Sequence, residues 1–236
     1  MRWKDVELLS PGLPEGGRRV LLVLGGRAPD TPWLDSFRQE GWELWAVDRG
    51  VEACRRAGWL PRLVLGDRDS ASPADWDWAV SAGGEERLFC KDKDATDFQL
   101  ALQELAEIDP RPQVLLTGAF GGRLDHLWSL LHSFLPGTAW TPLGMADQEE
   151  GVYLLPGPGK VEVRFGDPIP QAVSLLPLRG DCEGVGISGV RWPLVDTHLA
   201  LSHPYAVSNR LEGGERGVRA EVRRGTLGVY WCLTGA

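Results

Sequence analysis

No run in the 236 residues comes near the roughly 20 uninterrupted apolar positions that a membrane-crossing helix needs. Cysteine is scarce and scattered. Cys54, Cys90, Cys182 and Cys232 form no C-x-x-C pair, and their density is far below that of a small secreted disulfide scaffold. The opening MRWKDVELLS lacks the apolar stretch of a signal peptide. These absences predict a cytoplasmic chain with four buried, reduced thiols. Positive charge is also in deficit: 25 Lys and Arg against 33 Asp and Glu leave a net charge of −8. That disfavours a sequence-independent grip on nucleic acid, which needs a basic surface, but not the binding of a small anion in a local pocket. No G-x-S-x-G elbow occurs, which argues against acyl transfer.

What is present is ordinary for a globular protein: 43% hydrophobic and 25% charged residues. A chain of this length buries a core without help from disulfides or structural metal. Eleven Trp and 30 Gly are many, and most are expected in the core and in turns respectively.

Residues 1–19, polar and rich in Gly and Pro, predict a loose arm. A strand–helix alternation follows. The runs RRVLLVLGG, WELWAVDRG, RLVLGDRDS, ERLFCK and QVLLTGA read as strands, most of them continuous apolar runs of the kind buried on both faces. Thr31-Pro32, Ser72-Pro73-Ala74-Asp75 and Thr96-Asp97-Phe98-Gln99 read as helix starts, the last two as capping boxes. A final helix places Leu124, Leu127, Trp128, Leu131 and Leu135 on its buried side. The pattern predicts an α/β fold, a mainly parallel sheet with helices on both faces, over residues 20–137. Past Pro136 the helical period disappears. Short alternating runs between Gly, Pro and Asp predict an all-β domain of antiparallel strands, a sandwich or small barrel, over 138–236. The G-x-G-x-x-G match at residues 184–189 lies in that half with no helix after it, so it lacks the dinucleotide-binding context.

In open parallel sheets, ligands sit at the carboxyl ends of the strands. Four such ends carry polar residues here: Asp48; Asp67 and Asp69; Asp94 and Asp97; Arg123 and Asp125. In extended chain Asp67 and Asp69 point to one side, and a divalent cation such as Mg²⁺ would relieve their repulsion. Alternatively, Asp69 and Ser70 form a turn before a helix. Asp97 either joins the acidic rim or complements a helix dipole. In GAFGGRLDH, Gly121 and Gly122 let backbone N–H groups approach an anion, and Arg123 forks onto phosphate oxygens. The alternative is a tight turn with an Arg123–Asp125 surface pair. His126 is either a general base or a packing residue.

The order AVDRG, GDRDS, KDKDATDFQLAL, GAFGGRLDH resembles the thiamine pyrophosphokinase family, whose members usually carry DGG, GD-x-DS, K/Q-x-x-TD and GGRxDH segments. SLLPL, GVRWPL and YAVSN in the second half are similar to the family as well. The resemblance covers nearly all the chain past residue 19. It implies a catalytic α/β domain that binds nucleotide and metal, a thiamine-binding β-sandwich, and a homodimer with its site shared between chains. It implies transfer of the pyrophosphoryl group of ATP to the hydroxyethyl oxygen of thiamine, giving thiamine diphosphate and AMP, with Mg²⁺.

Carried over residue by residue, Asp67, Asp69 and Asp97 hold metal and triphosphate, and Arg123 with Gly121 and Gly122 binds phosphate. These three acids and Arg123 are the implied catalytic set. Asp48, Ser70, Thr96, Asp125, Trp192, Ser208 and Asn209 are the implied substrate contacts, with Trp192 and Ser208 in the thiamine pocket. Asp125 either meets substrate or orders its loop, and Trp192 has a competing reading as core. The sequence departs from the family at Arg49 and Val51, which interrupt the DGG-type segment, and at Arg68, where an apolar residue is more familiar. Both arginines either bind phosphate or mark a shifted preference. KDKDATD is also longer than the common KDKTD, which leaves Lys93 and Asp94 without an assigned role. Competing readings are a pyrophosphokinase for another heterocyclic alcohol such as a pterin, or a binding module without catalysis. Retention of Asp67, Asp69, Asp97 and Arg123 argues against the latter.

Overall fold

The computed structural model describes residues 1–12, 16–90, 94–108 and 110–233. They form a mixed α/β protein with two sheets and few helices. The first elements overturn the expectation of a loose arm: β1 (Arg2–Trp3) and β2 (Val6–Leu9) are strands. Val6 and Leu8 are buried while Glu7 and Leu9 are exposed, the period-two pattern of a half-buried strand. Strand β2 pairs antiparallel with residues far along the chain, Leu8 opposite Val163. Trp3 is fully buried, its ring centroid 5.8 Å from that of Trp231 and 6.1 Å from that of Tyr153. Trp3→Ala is therefore expected to lower the unfolding free energy by about 3–5 kcal/mol. A urea titration would show this as a lower midpoint; an unchanged midpoint would restore the loose-arm reading.

The alternation follows: β3 (Arg19–Val23), α1 (Thr31–Gln39), β4 (Glu43–Val47), α2 (Gly50–Arg56), β5 (Leu63–Gly66), α3 (Pro73–Ser81), β6 (Glu85–Leu88), α4 (Asp97–Ala106), β7 (Gln113–Thr117), α5 (Leu124–Phe134) and β8 (Thr141–Ala146). Strands β3, β4, β5 and β6 pair in that order, all parallel. Strand β7 returns to the other side of β3, and β8 pairs parallel with β7. The compact unit built this way spans Gly16–Gln148. It therefore keeps β8, which the expected boundary at 137 assigns to the second half.

Local chemistry explains the helix starts. Asp30 accepts the Trp33 N–H at 2.7 Å, with Pro32 in the first turn of α1. Helix α4 has the full reciprocal box: Thr96 Oγ1 accepts from Gln99 N at 3.2 Å and Gln99 Oε1 from Thr96 N at 3.0 Å. Helix α3 starts where expected, but Ser72 makes no side-chain cap bond. Asp75, its supposed partner, accepts from Arg55 instead, at 2.6 Å. Helix α5 departs further. Leu124 is 77% and Trp128 65% exposed, while Leu130, Phe134 and Leu135 are buried. Its sequence carries apolar residues on more than one side, and periodicity does not say which stripe faces inward.

The other unit joins Met1–Glu15 to Glu149–Ala236. Its later strands are β9 (Glu150–Pro156), β10 (Gly159–Phe165), β11 (Ala172–Pro177), β12 (Cys182–Ser188), β13 (Leu194–Leu199), β14 (Gly217–Val222) and β15 (Thr226–Cys232). Strands β1, β2, β10, β14, β12 and β13 form a six-stranded antiparallel array in that order. Strand β15 pairs antiparallel with β9 and β11. Trp3 and Phe165 from the first array meet Trp231 from the second group in one core. The discounted G-x-G-x-x-G falls largely in β12, with no helix after it among the described residues.

Cys54 and Cys182 are buried free thiols, but Cys90 is exposed, against expectation. Burial pushes the Cys54 thiol far above its ordinary range. Among the described residues, no helix is long and apolar enough to cross a membrane.

Candidate active site

At the carboxyl ends of the parallel strands, three carboxylates converge. Asp48 follows β4, Asp67 follows β5, and Asp97 is the first residue of α4. One oxygen from each lies within 4.8 Å of the others, and all three residues are half-buried. Unaided, each pair of charges at that separation repels by roughly 3 kcal/mol at an effective dielectric near 20. The chain builds this arrangement deliberately at the backbone. Asp48 sits in the left-handed region at φ 50°, with its N–H donated to Leu65 O at 2.9 Å. Gly66, at φ 149°, leaves the space that the Asp48 carboxylate fills: a Cβ there would stand 2.1 Å from Asp48 Oδ1.

Asp69 is not part of this group. The strand alternation that would align it with Asp67 is broken at Arg68, whose φ is +66°. Asp67 Oδ1 instead accepts the Asp69 N–H at 3.1 Å, an Asx turn that carries Asp69 and Ser70 to the exposed surface. Asp48, expected to meet substrate, takes the place in the metal-capable set that the sequence reading gave to Asp69. Thr96 holds its hydroxyl to the α4 cap. Lys91, Asp92 and Lys93 of the KDKD segment lie outside the described residues.

Opposite β4, on the far side of β3, β7 ends in the glycine loop. Gly118 and Gly121 have φ of 70° and 71°, so both turns need glycine. The loop is paired to the end of β3: Gly26 N donates to Gly118 O at 2.8 Å and Arg27 N to Phe120 O at 2.5 Å. Arg27 escaped the sequence reading. Its Nε lies 2.9 Å from Asp147, whose side chain is fully buried, and its guanidinium stands 5.9 Å from the Phe120 ring centroid. Only the fold brings Arg27 to Asp147, 120 residues apart in the chain.

Arg123 stands before α5 and makes a two-pronged bond to Asp125, Nε to Oδ1 at 3.1 Å and Nη2 to Oδ2 at 2.5 Å. That hydrogen bond holds the Asp125 carboxyl below its usual range and raises Arg123. Both side chains are exposed, so the surface pair of the alternative reading is what this structure contains. The His126 N–H bonds Asp125 at 3.0 Å, and the residue is exposed.

In the other unit, Trp192, Ser208 and Asn209 line one cavity of about 350 Å³, together with Val173, Leu175 and Tyr205. Trp192 is 54% exposed, which removes its reading as core. The Asn209 amide holds it in place, donating from Nδ2 to Trp192 O at 2.7 Å and accepting the Trp192 N–H at 3.2 Å. Ser208 adopts φ 58° and donates its N–H to the buried Ser174 hydroxyl at 3.0 Å. Two polar side chains thus fix the backbone of the cavity wall.

Comparison with known proteins follows the same division. Residues 38–138 match the family model "Thiamin pyrophosphokinase, catalytic domain", and residues 161–227 match "Thiamin pyrophosphokinase, vitamin B1 binding domain". The chain is 26% identical over 196 residues to the thiamine pyrophosphokinase of Bacillus subtilis (strain 168), covering 82% of this chain and 90% of that one. It is 24% identical over 166 residues to thiamine pyrophosphokinase 1 of Oryza sativa subsp. japonica, covering 66% and 61%. The crystal structure of the Bacillus subtilis thiamine pyrophosphokinase is similar with a TM-score of 0.77 at 23% identity, over 92% of this chain and 100% of that one. At that identity the likeness is one of fold.

Proposed function

Because the chain belongs to the thiamin pyrophosphokinase family, we propose that it moves the pyrophosphoryl group of ATP to thiamine. The hydroxyethyl oxygen attacks the β-phosphorus, the bond from that phosphorus to the oxygen bridging to the α-phosphate breaks, and AMP leaves. The hydroxyl proton passes to solvent as the new bond forms. The observation that carries this reading is the convergence of Asp48, Asp67 and Asp97 at the strand ends. Such transfer depends on positioning and charge neutralisation more than on a protein nucleophile.

The oxygen-only donor set suits a hard divalent cation, and the space Gly66 leaves for the Asp48 carboxylate supports the fit. Mg²⁺, when bound, would neutralise charge on the phosphate oxygens. Asp48, Asp67 and Asp97 would hold it, and the turn that Asp67 closes carries Asp69 and Ser70 to the exposed surface beside them. Gly121, Gly122 and Arg123 form a phosphate-facing loop, with Asp125 orienting Arg123. Thr96 fixes the start of α4, and so Asp97.

We read the unit of residues 16–148 as a parallel-sheet catalytic domain covered by helices on both faces, and the other as a β-sandwich that takes thiamine. There, Trp192 stacks on the flat aminopyrimidine and Ser208 meets it with polar contacts. The chain works as a cytoplasmic homodimer, the acid group of one protomer facing Trp192 of its partner. The exposed Leu124 and Trp128 of α5 support a covered face.

The test is incubation with ATP, Mg²⁺ and either thiamine or a pterin alcohol, followed by separation of AMP from ADP. AMP formed with thiamine alone is expected; ADP, or preference for the pterin, would overturn the assignment. A second outcome concerns Asn209. Asn209→Asp keeps the size but loses the donor to Trp192 O. It is expected to raise the thiamine KM about tenfold, roughly one lost hydrogen bond, with the ATP KM unchanged. An unchanged thiamine KM in steady-state assays would remove the positioning role.

A further inference from the structure

Four arginines stand at or beside the carboxyl ends of the parallel strands: Arg27 after β3, Arg49 after β4, Arg68 after β5 and Arg123 after β7. Three are held by carboxylates. Arg27 Nε bonds the buried Asp147 at 2.9 Å. Arg68 bonds Asp77, lies 3.8 Å from Glu86, and rests 5.6 Å from the Trp76 ring centroid. Arg123 forks onto Asp125. Arg49 differs. Its carboxylate neighbour Glu52 stands 3.7 Å away, beyond hydrogen-bond reach, and its side chain is 57% exposed. An exposed pair of that kind contributes little, so an incoming anion replaces it easily.

Its position matters as much as its availability. Arg49 directly follows Asp48 of the carboxylate group. Its stem lies along the backbone at the end of β3: a Cβ on Gly25 would stand 3.1 Å from Arg49 Cβ and 3.8 Å from Cγ. Strand β3 is where the sheet order reverses, with β4 on one side and β7 on the other. Parallel sheets receive ligands at the carboxyl ends beside such a reversal.

We propose that Arg49 binds the phosphate oxygens of the donor nucleotide beside the Asp48, Asp67 and Asp97 group, and so sets nucleotide affinity in this chain. A guanidinium offers two parallel donors to phosphate, an arrangement no other side chain matches. Arg68 takes no part, because its donors are turned onto Asp77 and Trp76. The inference rests on the pyrophosphokinase reading and adds to it a second arginine, beside the carboxylate group, that contacts the phosphates together with Arg123.

The experiment measures binding of a non-hydrolysable ATP analogue with Mg²⁺ by calorimetry, alongside steady-state kinetics, for wild type, Arg49→Gln, Arg49→Lys and Arg68→Gln. Arg49→Gln is expected to weaken the analogue and raise the ATP KM by at least about tenfold, the loss of one hydrogen bond to a charged group. The thiamine KM should stay within about twofold under the same assay. Arg49→Lys should recover part of the loss, and Arg68→Gln should match wild type. Wild-type affinity in Arg49→Gln overturns the proposal. So does an equal loss in Arg68→Gln, which would mark a general charge effect. Failure of the parent reading looks different: wild type would bind the analogue through Arg49 yet form no AMP from ATP and thiamine.

Discussion

Asp67→Asn is expected to fold normally and to lose at least about 100-fold in turnover, since removing a charge partner of a transition state commonly costs roughly 3 kcal/mol or more. The fold should tolerate the change for two reasons. The Asn side-chain oxygen still accepts the Asp69 N–H, so the turn after β5 survives. Removing one of three clustered carboxylates also relieves repulsion in the metal-free protein. Asp48→Asn and Asp97→Asn should fall as far, and Asp69→Asn much less, because Asp69 lies outside the group. Thermal melts with and without Mg²⁺ separate the roles: wild type should gain stability from the ion and Asp67→Asn should not. Near-normal turnover of Asp67→Asn at saturating Mg²⁺ would show that the group is not the metal site.

Mixed dimers should regain activity that neither parent has. Take Asp67→Asn and Trp192→Ala chains, each nearly inactive alone. If each site combines the acid group of one protomer with the Trp192 wall of its partner, a mixed two-fold dimer has one doubly damaged site and one intact site. Random equal assembly makes about half of the dimers mixed, so recovery should approach about a quarter of wild-type activity. Coexpression with two tags isolates the mixed species, in which recovery should be about half. No recovery in dimers verified to be mixed would place the whole site within one chain and leave the chemistry standing.

Much of this was legible in the sequence because local rules sufficed. The apolar runs ending in Gly or Asp became the parallel strands, and Thr96 with Gln99 made its box as written. Other features escaped for identifiable reasons. The alternation of Val6 and Leu8 is too short to stand out beside the Gly and Pro that follow it. The pairing of Asp67 with Asp69 assumed extended chain, and the left-handed Arg68 breaks it. Leu124 and Trp128 lie on a helix with apolar residues on several sides, and only the tertiary structure selects the buried one. The Arg27–Asp147 bond joins residues with no common motif, so no spacing announces it. Trp192, one tryptophan among eleven, is singled out by the resemblance of GVRWPL and not by composition; its exposure at the cavity separates it from the core.

The pairing of β2 with β10 imposes an order on synthesis. Leu8 meets Val163 only after the whole of the 16–148 unit has been made. At about 5–20 residues per second, the first strands wait roughly 10–30 seconds on the ribosome without their partner. In that interval Trp3, Val6 and Leu8 remain exposed to any edge they meet. Completion of the β unit then depends on closing a loop of some 150 residues, a slow contact by the measure that relates topology to folding rate. Placing residues 1–9 after Cys232 in a circular permutant would remove the wait and shorten the loop. The rate-limiting refolding phase should then accelerate, with the parallel-sheet unit unaltered.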